Sequence, residues 1–224
     1  MIIPTTILDN FLDNPDDIKE WALTLKFNSP TDNVYPGKRT ECLSNVFFPF
    51  YSLLNNKILS LFFPFNPPPS YTANTYFQYI SDFQDSGWVH QDHNQITALI
   101  YLSPPDPDIN RGTSLYKLKK GTIHPLFYTY NIPNFWDKRK EHYLSGKIDE
   151  KTQSEKKEFE EKTFEKILDV KDEYNRLLVF DPKIYHTNNT FSSPSSSKRL
   201  TLISFINNIV SPYSFPSIRS KQTT

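Results

Sequence analysis

Apolar residues recur along this chain at two different periods, and the change between them divides it in two. Ile18, Trp21, Ala22 and Leu25 fall at i, i+3, i+4 and i+7, which is one stripe of an amphipathic helix. Asn14 is placed to cap that helix, Pro15 suits its first position, and Asp16 and Asp17 complement the positive end of its dipole. A short strand over residues 5–11 precedes it, YPGKRT (residues 35–40) is a turn, and a second helix is predicted over 50–62, packed against a sheet. From Tyr71 the texture changes to β-branched and aromatic runs separated by Pro, Gly, Asn, Asp and Ser. These predict strands over 75–83, 96–102, 113–118, 177–180, 184–187 and 199–207.

One stretch breaks the alternation. Residues 134–172 are dominated by Lys and Glu, and 150–168 read as an exposed helix with Phe159, Phe164, Ile167 and Leu168 partly buried. Such an excursion is either a solvated decoration or a lid over a site, and Phe135, Trp136 and Tyr143 give its first part an aromatic face. The Pro-rich pieces 66–70 and 103–107 are stiff connections, too short to link independent domains. The expectation is one domain of class mainly β with α: a double-stranded β-helix, or jelly roll, buttressed by N-terminal helices. Residues 1–70 would be the helical support, 71–133 and 173–210 the jelly-roll core, 134–172 a charged helical insertion and 211–224 a tail.

Composition adds exclusions. With 25 Lys and Arg against 25 Asp and Glu the net charge is zero, so no global field attracts nucleic acid or an anionic membrane. The single cysteine, Cys42, excludes an internal disulfide or a multi-cysteine zinc site and reads as a small core residue. The N-terminal segment lacks the basic and apolar regions of a signal peptide, and no run approaches the ~20 apolar residues of a membrane helix. A soluble, cytoplasmic protein is expected.

The chemistry concentrates in Gly87-Trp88-Val89-His90-Gln91-Asp92-His93. On an extended chain i and i+2 share a face, so His90 and Asp92 project together as two parts of a two-histidine, one-carboxylate triad, while His93 points away. Downstream, NRLLVFDPKIYH ends in His186, and SKRLTLISFIN puts Arg199 and Thr201 on one face of the last long strand. Arginine is the side chain suited to a bidentate grip on a carboxylate. Asn94 or Gln91 is placed to hydrogen-bond a metal ligand, and Arg39, in the YPGKRT turn, faces the site mouth as a substrate contact. His124 and His142, beside or within the insertion, read as surface histidines.

In this order the motifs resemble the prolyl-4-hydroxylase-like branch of the Fe(II)/2-oxoglutarate-dependent oxygenases. The matching pieces are H-x-D at His90 and Asp92, the strand ending Ile100-Tyr101-Leu102-Ser103, Gly112 with Leu115-Tyr116, LLVFDPKIYH, and Arg199. NFLDNPDDIKEWAL and YPGKRT are similar to uncharacterised oxygenase-like proteins of bacteria and their phages. The resemblance implies Fe(II) held by His90, Asp92 and His186, and 2-oxoglutarate held through its far carboxylate by Arg199, with Thr201 adding a hydroxyl and Tyr79 nearby. It implies hydroxylation of a protein side chain, amino acid or small metabolite, coupled to conversion of 2-oxoglutarate to succinate. Asn94 and Trp136 join Arg39 as candidate substrate contacts. Two positions depart from the pattern: Arg111-Gly112 stands where Gly-Gly is frequent, and Ile100 falls where some relatives offer a second Tyr to the far carboxylate. The readings set against an oxygenase are a non-enzymatic jelly roll of structural, viral or binding type and a zinc hydrolase with the same ligands; a cation at Arg199 argues against the hydrolase.

Overall fold

A computed structural model describes residues 3–30, 35–81, 86–105, 110–122, 134–190 and 199–212. In chain order its elements are β1 (Thr6–Leu8), α1 (Pro15–Thr24), β2 (Lys38–Arg39), α2 (Leu43–Val46), α3 (Phe48–Leu59), β3 (Ser70–Ile80), β4 (Ile96–Tyr101) and β5 (Gly112–Leu118). There follow α4 (Phe135–Ser145), α5 (Glu150–Thr163), β6 (Phe164–Lys171), β7 (Leu177–Phe180), β8 (Tyr185–Asn188) and β9 (Arg199–Val210). Six strands form one antiparallel sheet in the order β1-β7-β4-β9-β3-β2, and three form a second in the order β6-β5-β8. This is a jelly roll, as the strand spacing predicts.

Strand alternation assigns the two faces of the larger sheet. Leu200, Leu202 and Ile206 of β9, Ala98 and Ile100 of β4, Phe77 of β3 and Val179 of β7 turn toward the helices and form the main core with Leu54, Ile58 and Leu59 of α3. Their neighbours in sequence, Leu99, Tyr101, Leu178, Phe180 and Ile203, turn the other way and pack against Leu115 and Val170 of the smaller sheet. The predicted stripe of α1 holds: Ala22 is fully buried, and Ile18, Trp21 and Leu25 pack on the main core. Trp21 meets Phe47, Phe50 and Phe77 edge-on, with ring centroids 5.3–5.9 Å apart.

Local details differ from the sequence reading. The Asn14 side chain makes no cap hydrogen bond; its carbonyl accepts from Ile18 N–H at 3.2 Å and starts the helix by backbone alone. The second helix begins earlier than residue 50, because Phe47 resets the backbone between α2 and α3. YPGKRT is more than a turn. Gly37 turns at φ 75°, where a Cβ would sit 2.3 Å from the Tyr79 carbonyl, and Lys38–Arg39 then pair with β3.

The insertion is shorter than 134–172. Its helix stops at Thr163, and Phe164–Lys171 pairs with β5 as an edge strand of the smaller sheet. In this edge strand only Phe164 and Val170 are buried while Glu165, Lys166, Asp169 and Lys171 are exposed, and that composition passes for a solvated helix. Residue 172 also belongs to the core: Asp172 lies 2.8 Å from Arg111 Nε as an ion pair, both side chains nearly inaccessible. Arg111 thus occupies the position of a frequent glycine with a structural partner. Gly112 beside it sits at φ 141°, and a Cβ there would lie 1.9 Å from the Val170 carbonyl. Gly112→Ala is therefore expected to lower stability by roughly 1–3 kcal/mol, measurable as a lower urea midpoint with unchanged slope. The tail beyond residue 212 and His124 lie outside the described residues.

Candidate metal centre

The segment before β4 runs antiparallel to residues 182–188, which include β8, and backbone hydrogen bonds set its register there. Gly87 N–H donates to the Asn188 carbonyl at 2.9 Å, and Asp92 N–H to the Pro182 carbonyl at 2.9 Å. Between them His90 and His186 exchange N–H···O bonds at 2.9 and 2.8 Å, which sets the two rings side by side with centroids 4.4 Å apart. Asp92, two residues on, returns to the same side. Its Oδ1 lies 3.7 Å from His90 Nε2 and its Oδ2 3.4 Å from His186 Nε2. The three donor atoms fall within 4.8 Å of one another.

Each imidazole is oriented by a main-chain carbonyl. His90 Nδ1 lies 2.7 Å from the Trp88 oxygen and His186 Nδ1 2.8 Å from the Ile184 oxygen. With Nδ1–H donating, both Nε2 lone pairs face the centre, the tautomer a metal ligand needs. Burial, reinforced by the neighbouring His186, pushes His90 down to about 3, so its ring is neutral near pH 7. Burial alone would raise Asp92, but in the metal-free protein the His186 and His90 imidazoles beside it and the Arg39 guanidinium hold it well below the usual carboxylate range. Two imidazoles and one carboxylate, converging from one side, fit a divalent first-row metal with further positions left for other ligands. His93 is exposed and lies outside this group.

The centre opens on a cavity of about 290 Å³ between the two sheets. Arg39, Arg199 and Thr201 line it together with the triad. Three other predicted contacts do not reach it. Tyr79 pairs across the sheet with Leu200, so it turns to the helical side and packs on Phe27 with centroids 5.6 Å apart. Asn94 spends its amide on the Ile96 carbonyl at 2.6 Å and Thr97 Oγ1 at 2.8 Å, bracing the start of β4. Trp136 is half exposed on the outside of α4. Gln91 donates to the Lys183 carbonyl, so the second-layer contacts to both histidines come from main chain instead.

The residues that sequence reasoning missed follow from strand parity. Directly paired residues share a face, and Arg199 pairs with Ile80 and Thr201 with Gln78, so Gln78 rather than Tyr79 lines the cavity. Thr201 also pairs with Tyr101, whereas Ile100 pairs with Leu202 in the core. Tyr101 is therefore the aromatic neighbour of Arg199: the guanidinium lies 5.3 Å from its ring centroid, and its hydroxyl donates to Thr113 Oγ1 at 2.9 Å. Arg139 and Tyr143 of α4, four apart on one helix face, supply another wall.

The insertion braces the metal-bearing segment. Trp88 N–H donates to Tyr143 Oη at 3.1 Å, Trp88 Nε1–H to His142 Nδ1 at 3.0 Å, and Lys156 Nζ to Ser86 Oγ at 2.9 Å. His142 is fully buried, not a surface histidine, because Trp88 needs an acceptor there. Burial and then the charge of Lys156 depress His142 from the usual 6.5 to about 4. A depressed folded-state pKa means the unfolded chain binds the proton first. Stability is thus whole above pH 6.5 and is lost as pH falls through about 4. Thermal melts across this window should show that loss, and His142→Gln should flatten it.

Among the described residues no helix is long and apolar enough to cross a membrane. Residues 3–206 match the sequence profile of the family of unknown function DUF6445. The chain belongs to DUF6445. No curated protein sequence matches it. Among solved structures, this DUF6445 chain shares its fold with HygX from Streptomyces hygroscopicus, whose crystals hold nickel, 2-oxoglutarate and hygromycin B. The TM-score is 0.55 at 13% identity, over 90% of this chain and 81% of HygX. It is similar in fold to AviO1 from Streptomyces viridochromogenes Tue57, with a TM-score of 0.52 at 11% identity over 95% and 92% of the two chains. SnoN, a non-heme alpha ketoglutarate dependent epimerase from nogalamycin biosynthesis, superposes with a TM-score of 0.51 at 8% identity, over 89% and 76%.

Proposed function

We propose that this DUF6445 protein is an Fe(II)- and 2-oxoglutarate-dependent oxygenase, a hydroxylase of a small molecule, an amino acid or a peptide side chain. One observation carries the reading: a two-histidine, one-carboxylate donor set and a deeply buried arginine, Arg199, open on the same cavity. The fold supports it, since HygX, built on the same fold, holds nickel and 2-oxoglutarate. The ordered motifs of the sequence favour the prolyl-4-hydroxylase-like branch.

His90, Asp92 and His186 would hold the metal, each ring kept in its ligating tautomer by a backbone carbonyl. Arg199 would hold the far carboxylate of 2-oxoglutarate. It is 2% exposed, so a salt link there is little screened by water. Tyr101, anchored on Thr113, packs against the guanidinium and fixes its orientation, and Thr201 offers a hydroxyl on the same face. Leu99, Phe180 and Ile203 make the wall between these polar groups apolar, which keeps water from the reacting bond. When bound, iron and 2-oxoglutarate supply the oxidation of a C–H bond by O2, with succinate and CO2 as co-products. Arg139 and Tyr143 place the insertion at the cavity, as a lid requires.

Purified protein given Fe(II), 2-oxoglutarate and O2 should form succinate slowly without substrate, and N-oxalylglycine should stop it. Absence of succinate, with ester or amide hydrolysis by the zinc-loaded protein instead, would replace this reading with the hydrolase.

A further inference from the structure

The cavity has more positive charge than the proposed chemistry uses. Among the described residues lining it are Arg39, Arg139 and Arg199, against a single carboxylate, Asp92. A divalent metal, Asp92, Arg199 and a dicarboxylate co-substrate sum to a neutral inner site. Arg39 and Arg139 are left over.

Neither of these arginines sits in an ion pair of its own, although Asp92 acts on Arg39 from beyond ion-pair distance. Arg39 Nε and Nη2 donate to Gln78 Oε1 at 3.3 and 3.2 Å, and Gln78 is held in turn by donating to the Pro36 carbonyl at 2.6 Å. A neutral amide thus orients the guanidinium without cancelling its charge. Its plane is further fixed by Tyr35, whose ring centroid lies 3.9 Å away, and by Phe205 at 5.3 Å. Burial lowers Arg39 to about 10, so it stays protonated at neutral pH. Arg139 comes from α4, on a separate wall. Trp136 and Tyr143 flank it with ring centroids 5.7 and 5.3 Å away, and its buried Nε has no hydrogen-bond partner among the described residues. Neither arginine forms an ion pair with a described carboxylate.

Two cations from different walls, held by aromatic rings and a neutral amide, form a preorganised receptor for an anion. We propose that Arg39 and Arg139 form an anion subsite that takes the carboxylate or phosphate group of the substrate, so that the substrate is a compact anionic molecule. The size agrees: about 290 Å³ shared with a co-substrate leaves space for a small group and not for a polymer. The charge argument rests on the oxygenase reading, but the subsite can be tested without turnover.

Calorimetric titration with benzoate, inorganic phosphate and neutral benzamide measures it, on the metal-free protein and on protein loaded with Mn(II) and N-oxalylglycine. Benzoate and phosphate should each bind saturably and compete, with benzamide weaker by about tenfold or more. The tighter of the two anions names the group. Arg39→Gln and Arg139→Gln should each weaken anion binding by about tenfold, with partial recovery in Arg39→Lys and Arg139→Lys, and circular dichroism should show the fold intact. N-oxalylglycine affinity should change less than about threefold. The proposal is overturned if benzamide binds as well as benzoate, if both glutamine variants bind anions normally, or if they lose N-oxalylglycine as severely as Arg199→Gln does. Should N-oxalylglycine fail to bind the wild type while anion binding still depends on Arg39 and Arg139, the oxygenase reading falls and the subsite stands.

Discussion

His186→Ala and Asp92→Asn are each expected to weaken Fe(II) binding by more than about a hundredfold and to abolish succinate formation. Loss of a partner behind a ligand already costs roughly 10–100-fold, and loss of the ligand itself costs more. His186 sits on β8, whose place is fixed by backbone pairing with β5 and with His90, so removing the ring leaves the strand where it is. Asp92→Asn keeps the shape and removes the one negative charge of the donor set. Melting temperatures without metal should therefore stay near wild type, while the stabilisation that Fe(II) gives the wild type disappears. Either variant binding iron at full occupancy with normal activity would remove that residue from the centre.

Arg199→Ala is expected to separate the co-substrate from the metal. A hydrogen bond to a charged group contributes roughly 1.5–3 kcal/mol, and a bidentate grip makes two. Losing both should raise the 2-oxoglutarate concentration required by about two to four orders of magnitude, at tenfold per 1.4 kcal/mol. Iron affinity should hardly move, since Arg199 is not one of the three donor residues. Asp172 keeps Arg111 as its ion-pair partner, so the variant leaves no solitary buried charge there. Titration of 2-oxoglutarate against succinate formed would show the shift. An unchanged requirement would assign the far carboxylate to another residue.

What the sequence made legible was whatever depends on period and order. The strand carrying His186, the long last strand with Arg199 and Thr201 on one face, and the spacing of His90 and Asp92 all follow from alternation of two. What stayed hidden depends on partners remote in sequence. Tyr79 and Gln78 look equally placed until the register with β9 gives Tyr79 to Leu200 and Gln78 to Thr201. The same register hands the aromatic role to Tyr101 and leaves Ile100 in the core. Residues 164–168 read as the end of a helix because an exposed edge strand carries as many charges as a solvated helix. His142 read as surface because nothing local announces that Trp88, far up the chain, requires an acceptor. Arg139 was obscured by the charge around it; its spacing of four from Tyr143 was the available clue.

Whether one cavity takes both the metal and 2-oxoglutarate can be read from an anaerobic titration followed in the visible. Fe(II) is added to wild-type protein first, then 2-oxoglutarate. One Fe(II) should bind per chain, and 2-oxoglutarate should then raise a saturable metal-to-ligand charge-transfer band. His186→Ala should give no band at all, and Arg199→Ala should give the same band only at far higher 2-oxoglutarate. A wild-type protein that binds Fe(II) tightly yet gives no band at any 2-oxoglutarate concentration would contradict a shared cavity.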